Sequence, residues 1–128
     1  MELVLWKDRE QKTLDPHLFS KQAEEFARQI SDEGGRSMNK GSQLRKFFDE
    51  ILRLNILAQG KDADWNRILP QVHMVIAKAA YAQGRKLVSE GFVAHIRQGI
   101  GQIEQPEDLM IFTNHMEAFM GYYKMLKP

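Results

Sequence analysis

The chain has no cysteine, which removes disulfides, thiol nucleophiles and zinc–thiolate sites together. The same absence fits a cytoplasmic protein. No uncharged apolar run approaches the about 18 residues of a membrane span, and no short apolar stretch follows a basic N-terminus. Secretion and membrane insertion are therefore not expected. Runs of β-branched residues with period two are missing, which argues against a sheet. There is no internal repeat, no low-complexity tract and no long linker.

What is present fits one domain of 128 residues, within the usual range for a single core. Hydrophobic residues are 43% of the chain and charged residues 27%, a globular balance that excludes disorder as the main state. The net charge of +1 conceals a gradient: residues 1–35 carry −3, residues 36–86 carry +6 and residues 87–128 carry −2. A basic middle between acidic flanks can steer a polyanion to one face. Segments of this size also vary in charge without any such role.

Several kinds of chemistry lack their residues. His17, His73, His95 and His115 show no pairing at metal-ligand helical spacing, and His-Glu-x-x-His is absent. Each is read as a surface or half-buried histidine. Asp62 and Asp64 could share a magnesium ion with other carboxylates, but they stand where helix caps belong. Gly99-Ile100-Gly101 follows no strand and precedes no Gly-Lys-Ser/Thr, so it is no phosphate loop. No serine lies in a Gly-x-Ser-x-Gly elbow. The chain reads as a non-enzyme, with no metal and no cofactor.

Apolar spacing divides the chain into an all-α, single-domain bundle of about five helices. Residues 1–14 alternate briefly at Leu3 and Leu5 and are either a loose arm or a short strand; residues 15–128 form the bundle. Asp15-Pro16 opens a first helix bearing Leu18, Phe19, Ala23, Phe26 and Ile30, and Gly34-Gly35 ends it. Residues 36–42 form a polar connection, with Ser42 as cap of a second helix. Its core face is Leu44, Phe47, Phe48, Ile51, Leu52 and Asn55, fraying near Gln59-Gly60. Asp62 or Asp64 caps a short piece with Trp65, Ile68 and Leu69, which Pro70 interrupts or restarts. Val72, Val75, Ile76, Ala79, Ala80 and Leu87 form the next apolar face, followed by Phe92, Val93, Ile96 and Ile100. The fifth helix starts near Pro106 and carries Leu109, Phe112, Met116, Phe119, Met120 and Tyr123. Phe48, Ile76 and Phe119 should be buried.

The basic middle has an internal order. Lys46 and Arg53 stand seven apart, about 20° from alignment on a helix, so they share an outer stripe. Arg45 lies at its edge and Lys40 in the approach, near a helix start whose free amides favour anions. Pairing of Arg45 with Asp49 and of Lys46 with Glu50 would absorb two of these charges. Gln71, Lys78 and Arg85 repeat the spacing on the following helix, with Met74 and Tyr81 beside them. A solvated face is the ordinary explanation of either stripe alone; two in one basic segment favour phosphate binding.

The run Ser42-Gln43-Leu44-Arg45-Lys46-Phe47-Phe48 resembles the small helical subunit of the type III-A CRISPR (Csm) effector complex. So do Lys78-Ala79-Ala80-Tyr81-Ala82-Gln83-Gly84-Arg85-Lys86, and an ending with Phe112, Met116-Glu117-Ala118-Phe119 and Tyr122-Tyr123. The likeness covers about residues 36–125; Gly41 departs from it by loosening the entry to the helix, and nothing in residues 1–35 adds to it.

The resemblance implies a non-catalytic, cytoplasmic subunit that stacks in a filament and supports the duplex of CRISPR RNA and target RNA. Base pairing would read sequence and protein would hold backbone. RNA cleavage and nucleotide cyclisation would fall to other subunits. The implied partners are both RNAs, other Csm subunits and copies of the chain itself; single-stranded DNA could be a further partner, and the isolated chain could dimerise. The positions matching the family's basic residues are Lys40, Arg45, Lys46, Lys78, Arg85 and Lys86; Arg53 joins them by helical geometry only. The alternatives are the small subunit of the type III-B complex and a helical protein–protein adaptor without nucleic-acid binding.

Overall fold

Apolar residues spaced three and four apart give five helices in the computed structural model, which describes residues 2–127: α1 (Lys21–Gly34), α2 (Gly41–Ala58), α3 (Trp65–Gly84), α4 (Glu90–Gly101) and α5 (Pro106–Leu126). Residues 1 and 128, the outer bounds of the expected arm and bundle, lie outside the described residues. The helices close a ring in the order α1, α5, α2, α3, α4, with α4 meeting α1 again. Among the described residues the only β feature is an isolated bridge between Asp8 and Thr13.

The core is aromatic at its centre. Phe119 lies 4.5 Å from Phe26, 5.4 Å from Tyr123 and 6.4 Å from Phe92, ring centre to ring centre, separations at which tilted rings attract. Phe119 is fully buried and Phe48 nearly so. Gly99, which weakens α4 as an isolated helix, is required by packing: a Cβ there would overlap the Phe112 ring.

Several expectations are corrected. Asp15-Pro16 makes a turn in which Asp15 accepts from the His17 amide at 2.8 Å, and α1 begins only at Lys21. Phe19 is consequently 36% exposed, off the helix face assumed for it. Lys40, not Ser42, occupies the N-cap of α2. Asp64 holds the cap position of α3 but its side chain makes no cap hydrogen bond; it pairs with Arg67 at 3.6 Å. Pro70 does not break α3. It lies in the second turn, and Asn66, whose carbonyl loses its amide partner there, is exposed and open to water. The face of α3 is Ile68, Val72, Val75, Ala79 and Ala82; Ile76 is only half-buried, and Ala80 and Leu87 are exposed.

Residues 2–20 are an ordered arm. Leu3 and Leu5 enter the core while Val4 faces solvent, an alternation as in a strand. Helix α4 and its C-cap supply the partner groups: Gln98 Oε1 accepts from the Leu3 amide at 2.8 Å and Gln102 Oε1 from the Leu5 amide at 2.9 Å. Gln102 Nε2 donates back to the Leu3 carbonyl at 2.7 Å. The arm then reaches Asp108, which accepts from Trp6 Nε1 at 2.7 Å and Arg9 Nη1 at 3.1 Å, and from the amides of Glu104 and Gln105. Burial pushes the Asp108 carboxyl up, but these hydrogen bonds together outweigh it and hold the pKa below its ordinary value.

The connection at residues 36–42 is not merely polar. Asn39 is fully buried with φ +56°. Its Nδ2 donates to the Ile30 carbonyl at 3.0 Å and Ser89 Oγ at 2.9 Å, and its Oδ1 accepts from the Ser89 amide at 2.8 Å. The Tyr123 hydroxyl donates to its carbonyl; burial pushes that phenol up to about 12. Gly34 admits this side chain, since a Cβ at 34 would stand 2.9 Å from Asn39 Cβ.

Two histidines are likewise interior, against expectation. His95 on α4 and His115 on α5 are buried with their Nε2 atoms 2.9 Å apart. His115 Nδ1 lies 2.8 Å from the Leu18 carbonyl, which can only accept. His115 therefore carries its proton on Nδ1, and His95 Nε2–H donates to His115 Nε2. Phe26 stacks on His95 at 3.4 Å. Burial, and then repulsion from a charged His115, push His95 down to about 2; burial also lowers His115.

Three outcomes are expected. Phe119→Ala should destabilise the fold by about 3–5 kcal/mol, read from denaturant midpoints. Asn39→Ala strands three buried partners and should cost at least about 2 kcal/mol by the same measurement. The histidine pair makes the protein acid-labile. Unfolded histidine binds a proton below about 6.5 whereas native His95 stays neutral to about 2, so stability falls as pH falls. At pH 5 the loss from His95 alone is about 2 kcal/mol. Melting curves at pH 7.5 and 5 should show it, and His95→Gln, which donates without titrating, should shrink the difference.

Candidate nucleic-acid interface

Helices α2 and α3 run antiparallel, joined by the turn at 59–64, and pack side by side. Their basic side chains therefore do adjoin. Lys40, Arg45, Lys46, Arg53, Lys78, Arg85 and Lys86 are all exposed, but they fall into three places.

Lys46 and Lys78 flank a shallow groove of about 340 Å³ between the helices, lined also by Gln43, Phe47, Glu50 and Val75. Glu50 is half-buried there. It accepts from Arg53 Nε at 2.9 Å and Nη2 at 3.0 Å, and Lys78 Nζ stands 3.5 Å away on the other helix. The Arg53 hydrogen bond holds the Glu50 carboxyl below its ordinary value despite partial burial, helped by Coulomb attraction to Arg53 and Lys78. The pairing expected from sequence is thus redistributed: Glu50 serves Arg53 and Lys78, and Lys46 has no ion pair among the described residues.

Lys40, Arg85 and Lys86 gather where α2 begins and α3 ends. The Asn39 amide donates to the Leu87 carbonyl at 3.0 Å, which sets Lys40 and Lys86 on adjoining segments of the junction. Lys86 holds φ +61° there. Arg85 lies over the Tyr81 ring, 6.0 Å from its centre. Neither Lys40 nor Lys86 has an ion pair among the described residues.

Arg45 belongs elsewhere. It pairs with Asp49 at 3.7 Å and lines a cavity of about 390 Å³ on the α5 side of α2, with Gly41, Ser42, Met120, Tyr123, Lys124 and Lys127. Lys124 and Lys127 were not singled out from sequence. They follow no seven-residue spacing and join the site only because the end of α5 packs beside the start of α2. Lys127 Nζ also donates to the Gly35 carbonyl at 2.7 Å.

The arrangement can hold anions spaced along a surface. Among the described residues no three His, Asp or Glu side chains are placed to hold a metal ion, and no helix is long and apolar enough to cross a membrane. No curated protein and no solved structure gives a significant match. A family model described as Csm2 Type III-A matches residues 13–128. That span takes in α1 to α5 and every basic residue of both helices, and it decides between the III-A and III-B readings: the chain belongs to the Csm2 Type III-A family, a small structural subunit of the type III-A CRISPR complex.

Proposed function

We infer that the chain is a non-catalytic RNA-holding subunit, which supports the guide RNA–target RNA duplex through phosphate contacts and repeats along it as a filament beside other Csm subunits. The observation that carries this reading is the adjacency of the two basic stripes across the α2–α3 groove, with Lys46 free of any ion pair among the described residues. Lys40, Arg85 and Lys86 extend the same side toward the α2–α3–α4 junction, and Arg45 adds a cation on the other side of α2. A duplex in A-form offers mainly phosphates and 2′-hydroxyls, which such a surface suits. Glu50 tempers it by neutralising part of its charge. Each copy contributes only a handful of contacts, so the lone chain binds RNA without sequence preference at roughly 10⁻⁴–10⁻⁶ M near physiological salt. Repetition along one duplex raises the effective concentration of each further copy.

Filter binding with unrelated RNA sequences tests the reading. Lys46 and Lys78 replaced together by Ala should weaken binding to all sequences alike and lower the salt slope by about one unit per lost phosphate contact. The fold should change little, since exposed substitutions stay within about 0.5 kcal/mol. Lys21 and Arg28 on α1 are the control. Equal losses from both pairs would mean that net charge alone is responsible, and salt-independent behaviour throughout would favour the protein–protein adaptor.

A further inference from the structure

Residues 65–89 contain no Asp or Glu, although the chain has 17 acidic residues, and they include Arg67, Lys78, Arg85 and Lys86. In the middle of this acid-free stretch stands Tyr81, 67% exposed, above every other exposed large apolar side chain among the described residues. Lys78 lies one turn before it and Arg85 one turn after. The Arg85 guanidinium rests 6.0 Å from the centre of the ring, an attraction that orients the ring without burying it.

A surface that holds only phosphates has no use for an exposed aromatic ring. A duplex hides the faces of its bases within the stack; an unpaired base offers its face. An apolar protein helix is a poorer occupant, because such partners need anchors at successive helical turns. Met74 and Tyr81 are the only large apolar side chains that α3 exposes, two turns apart with Ala77 between them.

We propose that Tyr81 is a stacking platform for an unpaired base of single-stranded nucleic acid, with Lys78 and Arg85 taking the phosphates on either side. This rests on the phosphate-holding role argued above and adds to it a preference for single strands at one point of the surface.

The test uses the full chain with two fluorescein-labelled probes, a short unstructured RNA and a blunt-ended RNA duplex, titrated over a range of salt. Tyr81→Ala should weaken single-strand binding about ten-fold, as loss of one stacked base does, with the salt slope unchanged. Duplex binding and the melting midpoint should stay as in the parent chain. Tyr81→Phe should restore single-strand affinity, since stacking needs the ring and not the hydroxyl. Replacing Lys78 and Arg85 together by Ala should instead weaken both probes and flatten both slopes. Unchanged single-strand affinity in Tyr81→Ala would overturn the platform while leaving the phosphate-holding role intact, as would equal losses on both probes. Intact RNA binding with lost co-elution of a neighbouring subunit would make this face a protein interface instead. If the parent chain binds neither probe, the phosphate-holding role fails and the platform with it.

Discussion

One buried amide side chain joins most of the bundle. Asn39 receives or donates hydrogen bonds at the end of α1, the cap of α4 and the last turns of α5, and it immediately precedes Lys40, the N-cap of α2. Its backbone amide meets the loop that leaves α3. Each of these groups sits at or near a helix end, where backbone donors and acceptors have no intrahelical partner. Asparagine suits the position because it supplies donor and acceptor together and tolerates the left-handed backbone that this corner requires. The aromatic core gives the helices a reason to come together; Asn39 fixes which ends meet.

That corner also shapes the charged surface. The same amide that meets the Leu87 carbonyl brings Lys40 beside Lys86, residues 46 positions apart in the chain. Glu50 makes the corresponding link farther down the helices, by holding Arg53 on its own helix and Lys78 on the next. A solvent-exposed ion pair contributes little to stability. The importance of Glu50 lies in placement: it sets a cation of α2, Arg53, and a cation of α3, Lys78, at fixed distances from one carboxylate. The basic face is thus preorganised by one neutral corner and one acidic crossbar.

Much of this was legible in the sequence, because three- and four-residue apolar steps are a physical signature of helices that bury one face. Phe26, Phe48, Phe92, Phe112 and Phe119 all lie where that spacing directs them. The stripes of seven put Lys46, Arg53, Lys78 and Arg85 on exposed faces for the same reason. Local signals were weaker guides. Asp15-Pro16 has the chemistry of a helix start, yet hydrogen bonding ended there in a turn. Pro70 has the chemistry of a break, yet an exposed second turn could absorb it. What stayed hidden was long-range: a histidine pair across α4 and α5, an asparagine whose partners are as far as 84 residues away, and lysines of α5 beside the start of α2. No periodicity encodes such meetings, since they depend on how helices cross.

The docked arm gives the chain an order of assembly. Leu3, Leu5 and Trp6 find their partners on Gln98, Gln102 and Asp108, 95 to 102 residues later. At about 5–20 residues made per second, the ribosome needs roughly 5–20 s to supply them after the arm itself appears. During that interval Leu3, Leu5 and Trp6 lack these partners. The arm therefore docks only once α4 and the start of α5 exist, and a nascent chain with three helices in place still shows these apolar residues to whatever chaperone is nearby.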